Sequence, residues 1–222
     1  HSWHMRFIWR VPSATGRRLF LGTATSAVAG LIIWRVMALT KGLAGLPGAT
    51  RRFTGSYETG SFTGRFPRVS WIADRPPPVD IETWQLTIEG AVERPLSLTY
   101  DQLLDMADLE RPATLDCTGG WYTIQQWRGI NVAHLLALAG VSDEARSVTF
   151  EAVSGYGRRF SLEAAQRYLL ALEVAERPLE HGHGFPARLV APDRRGVEWV
   201  KWLCSIRVNT TSQYWQSPLP LQ

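Results

Sequence analysis

Side chains able to do chemistry gather in three short segments. The first is Cys117, which closes the apolar stretch Ala113–Cys117 and opens the run Cys-Thr-Gly-Gly-Trp-Tyr. Paired glycines after a strand permit unusual backbone conformations and close approach by a ligand. A thiolate in that setting can bind a soft metal or act as a nucleophile. A buried, inert cysteine has the same local signature. The second segment is residues 181–192, His-Gly-His-Gly-Phe-Pro-Ala-Arg-Leu-Val-Ala-Pro. Two histidines two residues apart suggest a metal, but no third ligand has suitable spacing, so a zinc hydrolase built on His181 and His183 is the weakest reading. His183 can equally donate a hydrogen bond to an anionic cofactor. Arg188 begins a strand-like run, where a buried charge needs a partner, and a phosphate would serve. The third segment is residues 194–208, in which Lys201 sits in a stretch that is otherwise mostly apolar and aromatic. An unpaired buried ammonium is costly, so Lys201 is expected on a strand facing an anion or a structural carboxylate. Cys204, on the same predicted strand, is most simply a small core residue.

The elements that must position these groups are mixed. Residues 84–90 alternate and predict a strand. Thr99 is placed to cap a short helix over 100–106. Residues 113–117 predict a strand ending at Cys117, and 131–138 a helix stopped by Gly140. Residues 147–153 predict a strand, and 161–170 a short helix capped by Ser161. The stretches 187–192 and 197–208 are β-rich, and the tail after Asn209 is irregular. Because helices and strands do not alternate strictly, the expected class is α+β with mixed sheets and short helices, preceded by an apolar N-terminal helix.

Composition narrows the function classes. The chain has 222 residues, 45% of them apolar, with ten tryptophans and only 20% charged residues. That suffices for one substantial core plus a tail and argues against disorder. The net charge of +4 comes from scattered pairs such as Arg51-Arg52 and Arg194-Arg195 rather than one basic run. This favours an anionic ligand or a membrane surface over a nucleic-acid stripe. Two cysteines cannot form a disulfide framework, and no CxxC spacing is present.

The segments taken together resemble a known family. The ordered set Cys117, Gly119, Trp127-Arg128-Gly129, Leu135-Leu136, Tyr156-Gly157, Ser161-Leu162, Arg177-Pro178-Leu179, His183-Gly184-Phe185-Pro186, Arg188, Gly196 and Val200-Lys201-Trp202-Leu203 is similar to the molybdopterin domain of sulfite oxidase. The similarity covers about residues 50 to 210 and is specific as an ordered set. It implies a molybdenum–molybdopterin cofactor with Cys117 as the protein ligand to the metal. It further implies that His183, Arg188, Trp199, Val200 and Lys201 hold the pterin and its phosphate, and that Tyr156 stands beside the substrate oxygen. The run Phe53–Phe62 also resembles the arm of bacterial methionine sulfoxide reductase molybdoenzymes, which places Tyr57 and Glu58 on the pterin. Thr54 replaces an asparagine of that arm. Thr118-Gly119-Gly120-Trp121-Tyr122 replaces the arginine-bearing run that helps sulfite oxidases bind sulfite, so the pocket would attract a sulfite dianion less.

The expected organisation is a signal or membrane-anchor segment over 1–40, a linker and arm over 41–82, a molybdopterin domain over 83–210 to which residues 50–82 contribute, and a tail over 211–222. Arg17-Arg18-Leu19-Phe20-Leu21 resembles a twin-arginine export signal. The uncharged apolar run from Leu19 to Trp34 is shorter than the roughly 20 residues that span a bilayer. The segment thus reads as a signal, an anchor or the last helix of a larger membrane domain. The expectation is an oxidoreductase in the bacterial cell membrane or periplasm, with its catalytic domain extracytoplasmic. It acts on a small-molecule substrate, an oxyanion or an S- or N-oxide, and exchanges electrons with a membrane haem or quinone partner. No nucleic-acid partner is expected. The alternative is a non-catalytic ligand-binding domain that retains the scaffold.

Overall fold

The computed structural model describes residues 14–43, 51–70, 74, 76–214 and 216, the side chains of 14–20, 38 and 41–43 excepted. The chain divides into two units, residues 1–50 and 51–222. In the first unit, α1 (Ala14–Leu43) is a single helix of 30 residues. Leu31, Ile32, Ile33 and Trp34 are all exposed on it. Arg17 and Arg18 fall within α1, but their side chains lie outside the described residues. No helix among the described residues is long and apolar enough to cross a membrane.

The second unit carries β1 (Tyr57–Glu58), β2 (Gln85–Gly90), β3 (Leu96–Thr99), α2 (Tyr100–Asp105), β4 (Leu109–Asp116), β5 (Trp121–Asn131), α3 (Val132–Ala139), β6 (Ser147–Ala152), β7 (Gly157–Ser161), α4 (Leu162–Ala165), β8 (Leu169–Val174), β9 (Arg177–Pro178), β10 (Arg188–Val190) and β11 (Leu203–Asn209). Single 3₁₀ turns cover His181–His183 and Gly196–Glu198. Two mixed sheets result. One runs β1-β5-β8-β10, with β4 also on β5 and β9 also on β8, and the other runs β3-β2-β11-β6-β7. The pairs β1/β5 and β2/β11 are parallel and the rest antiparallel.

Local chemistry explains the short helices. Thr99 accepts from the Gln102 N–H while Gln102 caps back on the Thr99 N–H, a reciprocal box at the start of α2. Asn131 accepts from the Ala133 N–H at 2.8 Å to start α3, and Gly140, at φ 69°, ends it. The core lies where α3 and both sheets meet. Leu86, Ile88, Trp127, Leu135 and Leu170 are all fully buried. Each such side chain contributes about 1.5–3 kcal/mol through removal from water.

Three expectations need correction. The helix over 161–170 stops after one turn at Ala165, and Leu169 and Leu170 begin strand β8. Leu169–Leu172 are buried on both faces, so a continuous apolar run here marks an inner strand and not a helix face. Lys201 is not on a strand. It lies in the turn before β11, and Trp202 at φ 51° makes the bend. Cys204 is on β11 but only half-buried. Its thiol faces Glu151 O at 3.5 Å, and burial pushes its pKa up to about 11.

Candidate cofactor and active site

Cys117 is the tip of the β4–β5 hairpin. Its N–H donates to Trp121 O at 2.8 Å, and its carbonyl accepts from the Gly120 N–H at 3.2 Å. Gly120 sits at φ 85°, a left-handed turn position that suits glycine. The Gly119 N–H donates to Cys117 Sγ at 3.4 Å. The second glycine of the pair therefore shapes the turn and the first points its N–H at the sulfur. Gly196 presses on the same point from the other side. A Cβ there would come within 3.3 Å of Cys117 Cα and 3.2 Å of Asp116 O.

Behind the hairpin is a cluster that sequence reasoning missed. Asp116 is buried, pairs with Arg52 at 3.0 Å and Arg195 at 3.6 Å, and accepts from Thr54 at 2.9 Å and Ser56 at 2.7 Å. Arg195 also donates to Cys117 O at 3.1 Å. Asp116 thus ties the arm to the hairpin, and Thr54 serves this carboxylate. A lone Asp before a Cys gives no sequence signal for such a role, because its partners on the arm are some 60 residues away.

Two cavities meet at Cys117. Both are lined by Val69, Cys117, Gly196, Trp199 and Lys201. One adds Phe66, Trp121, His183 and Arg188. The other adds Ser70, Asp74, Thr118 and Tyr156. The structure therefore brings Cys117, Tyr156, His183, Arg188, Trp199 and Lys201 together. Val200 is fully buried and lines neither cavity, its carbonyl accepting from the Leu189 N–H at 2.8 Å. Tyr57 and Glu58 also line neither. Tyr57 is exposed, Glu58 accepts from Tyr122 OH at 3.3 Å, and their strand β1 pairs with Trp121 and Tyr122.

The first cavity is cationic. Arg188 is 3% exposed and lies against the edge-to-face pair Trp127 and Trp199, its guanidinium carbon 5.1 and 5.7 Å from the two rings. It donates to His183 O at 2.8 Å, while its Nε is buried with no partner among the described residues. No carboxylate pairs with it among the described residues. Burial lowers its pKa to about 9, so it remains charged at neutral pH. Trp127 donates its indole N–H to Ala113 O at 3.2 Å.

His183 stacks on Phe66 at 4.0 Å and its Nε2 meets Phe66 O at 3.0 Å. Burial lowers its pKa, so the ring is neutral and this nitrogen donates. His181 Nε2 meets Pro76 O at 3.1 Å. No third His, Cys, Asp or Glu converges with them among the described residues. Lys201 Nζ donates to Ser70 Oγ at 2.7 Å, Val69 O at 3.0 Å and Gly182 O at 3.2 Å. Burial, then the Arg188 charge, lowers its pKa to about 7.

In the second cavity Tyr156 is 5% exposed and its hydroxyl donates to Val197 O. Burial raises its pKa, so it stays a donor.

These residues fit an anionic, thiolate-ligated group. A buried guanidinium without a counter-charge and a thiol at the shared wall supply the charge and the soft ligand that such a group requires.

Comparison with known proteins agrees. The family described as "Oxidoreductase molybdopterin binding domain" matches residues 73–216, well over half of the chain. Mitochondrial sulfite oxidase of Mus musculus is 31% identical over 174 residues, covering 63% of this chain and 32% of that protein. The oxidoreductase YuiH of Bacillus subtilis is 29% identical over 142 residues, 62% of this chain and 72% of its own. The NADH nitrate reductase of Spinacia oleracea is 31% identical over 165 residues, 59% of this chain and 18% of that enzyme. Among solved structures, the sulfane dehydrogenase SoxCD from Paracoccus pantotrophus superposes with a TM-score of 0.58 at 28% identity, over 61% of this chain and 40% of that one. The chain spans about a third or less of the length of the sulfite oxidase and nitrate reductase it matches. The chain belongs to the family of molybdopterin-binding oxidoreductase domains.

Proposed function

We propose that the second unit carries out two-electron oxo transfer on a small oxyanion or an S- or N-oxide, with Cys117 as the protein ligand to molybdenum. The observation that supports this is the position of Cys117 on the common wall of a cationic cavity and a second cavity of different charge. The bound group supplies a two-electron redox centre able to give up or take up an oxo group. The chain does the rest. Arg188 and Lys201 would offer charge to the pterin phosphate, and His183 and Trp199 would help to hold it. Tyr57 and Glu58 of β1 flank the hairpin on the arm side, and Val200 fixes the backbone next to Lys201. Tyr156 keeps a proton on its hydroxyl and can turn that donor from Val197 O to a substrate oxygen. Molybdenum and pterin analysis of the purified full chain, followed by redox assays across sulfite, S-oxides and N-oxides, tests the reading. Protein purified without pterin under molybdenum-replete expression overturns it.

The same proposal places the enzyme at the bacterial membrane or in the periplasm, with a membrane haem or quinone as electron partner. Its support is Arg17-Arg18-Leu19-Phe20-Leu21 at the start of an apolar helix. A pterin made in the cytoplasm must be inserted before export, which calls for a folded-protein route. Replacing both arginines by lysine keeps the charge but removes the paired guanidiniums. Cofactor-loaded protein is expected to stay in the cytoplasm on fractionation. Unchanged delivery would reduce the segment to an anchor or to the last helix of a larger membrane domain.

A further inference from the structure

Asp74 lines the cavity that holds Cys117 and Tyr156. It is 4% exposed, and its Oδ1 is buried with no hydrogen-bond partner among the described residues. Lys201, which lines the same cavity, attracts this carboxylate but makes no hydrogen bond to it. An ammonium has three donors, and those of Lys201 go to Val69 O, Ser70 Oγ and Gly182 O. Arg188 lines only the other cavity. Next to Cys117 on this side stands Thr118, which brings no positive charge. A buried carboxylate oxygen that accepts no hydrogen bond is costly, and the cost falls when something positive or donating enters beside it.

We propose that Asp74 is a specificity-determining residue that rejects oxyanions from this cavity and admits dipolar oxides, an inference that rests on the oxo-transfer reading above. The two candidate substrate classes differ in their charge distribution. A sulfite- or sulfate-like oxyanion presents negative oxygen in every direction. However it turns, one oxygen approaches the Asp74 carboxylate, and like charges that close in a shielded cavity repel strongly. An N-oxide or S-oxide has one negative pole, its oxygen, and one positive pole, the nitrogen or sulfur. It can place oxygen toward the Tyr156 hydroxyl and the Cys117 side while its positive centre faces Asp74. Tyr156 donates and Asp74 accepts, so the cavity carries both halves of a complement to that dipole.

Binding is measured on oxidised full-length protein without reductant, so that no turnover occurs, after its molybdenum and pterin content has been determined. Trimethylamine N-oxide and sulfate serve as probes, followed by calorimetry or tryptophan fluorescence. Wild type is expected to bind the N-oxide at least about tenfold more tightly than sulfate, and Asp74→Asn, which keeps the shape and removes the charge, is expected to narrow that ratio by on the order of tenfold. Asp74→Glu should retain the preference. Equal binding of the two probes by wild type overturns the proposal without any variant, which covers the case in which Asp74→Asn fails to fold. An unchanged ratio in folded Asp74→Asn also overturns it. Protein that lacks pterin but keeps the preference overturns the cofactor reading alone, and pterin-loaded protein without the preference overturns the Asp74 role alone.

Discussion

The two cavities on either side of Cys117 share five residues and differ in charge. The first faces a guanidinium packed against two indoles, with a neutral imidazole beside it. The second faces a carboxylate and a phenol, with Lys201 common to both. Each contains a buried polar group whose partners within the fold are incomplete. In both places burial has been accepted without full internal compensation, the usual mark of a site awaiting a ligand. The buried guanidinium suits a phosphate-bearing cofactor, and the Asp74 side offers an acceptor and a phenol donor to a second ligand. The β4–β5 hairpin is the partition, and its thiol belongs to both.

The strongest way to break this division is to change the partition's sulfur. Cys117→Ser should abolish oxo-transfer activity while leaving the melting temperature within a few degrees of wild type. Serine keeps the acceptor for the Gly119 N–H but is a harder, more basic ligand. Full activity in the serine variant would end the assignment. Next in size is the support behind the partition. Asp116→Ala removes the acceptor for Arg52, Arg195, Thr54 and Ser56 together. Its two arginines are about one-third exposed, which tempers the usual cost of breaking a buried pair, so about 2–3 kcal/mol is expected. Limited proteolysis should then cut first in the arm between residues 51 and 70. A loss under 1 kcal/mol, with no new cleavage there, would show that the arm is held by other contacts.

A sharper test separates stability from ligand binding on the cationic side. Arg188→Met fills nearly the same volume against Trp127 and Trp199 without a desolvated charge. The melting temperature of cofactor-free protein should be unchanged or higher, because a buried cation without a counter-ion costs stability. Pterin content should fall on the order of tenfold or more, since charge-assisted hydrogen bonds contribute roughly 1.5–3 kcal/mol. Normal pterin occupancy would show that Arg188 is only a structural cation.

Locally encoded features of this molecule are legible in the sequence and distant ones are not. The caps at Thr99, Asn131 and Gly140 lie within one turn of what they cap, so residue type reveals them. The glycine pair after Cys117 marks a tight hairpin tip for the same reason. Strand β5 is hidden by its polar residues. Thr123 and Gln125 look solvent-facing, yet both are fully buried, because Gln125 bonds Gly60 O and the Gly64 N–H on the arm. The apolar run of β8 reads equally as helix or strand, and its burial on both faces decides the matter only in the fold. Asp74 and Asp116 carry no signal as single carboxylates. Their significance comes from neighbours brought in by the arm, a segment whose own sequence is poor in aliphatic residues.

The smallest expected effect concerns Lys201, which belongs to both cavities and so reports on the charge between them. In the fold its pKa is about 7, lowered first by burial and then by Arg188, against an ordinary value of 10.5. Between those values the unfolded chain holds a proton that the folded chain has released, so stability of the cofactor-free protein should rise with pH through this interval. The clean window is pH 7 to 8. His183, whose folded pKa lies below its ordinary 6.5, has largely finished titrating at its lower end. Arg188, lowered to about 9, adds to the rise from about pH 8 upward. Cys204, raised to about 11 from 9, opposes it from about pH 8 upward, where the unfolded thiol loses its proton and the folded one keeps it. An increase in melting temperature on the order of a few degrees from pH 7 to 8 is expected. Lys201→Met should flatten the slope within the same window, because methionine has nothing to titrate. Pterin-loaded wild type should also lose most of it, since an anion beside the ammonium restores the proton's affinity. A slope that persists unchanged in Lys201→Met would assign the effect to another group and show that Lys201 keeps its proton in the fold, leaving the cavity with two cations.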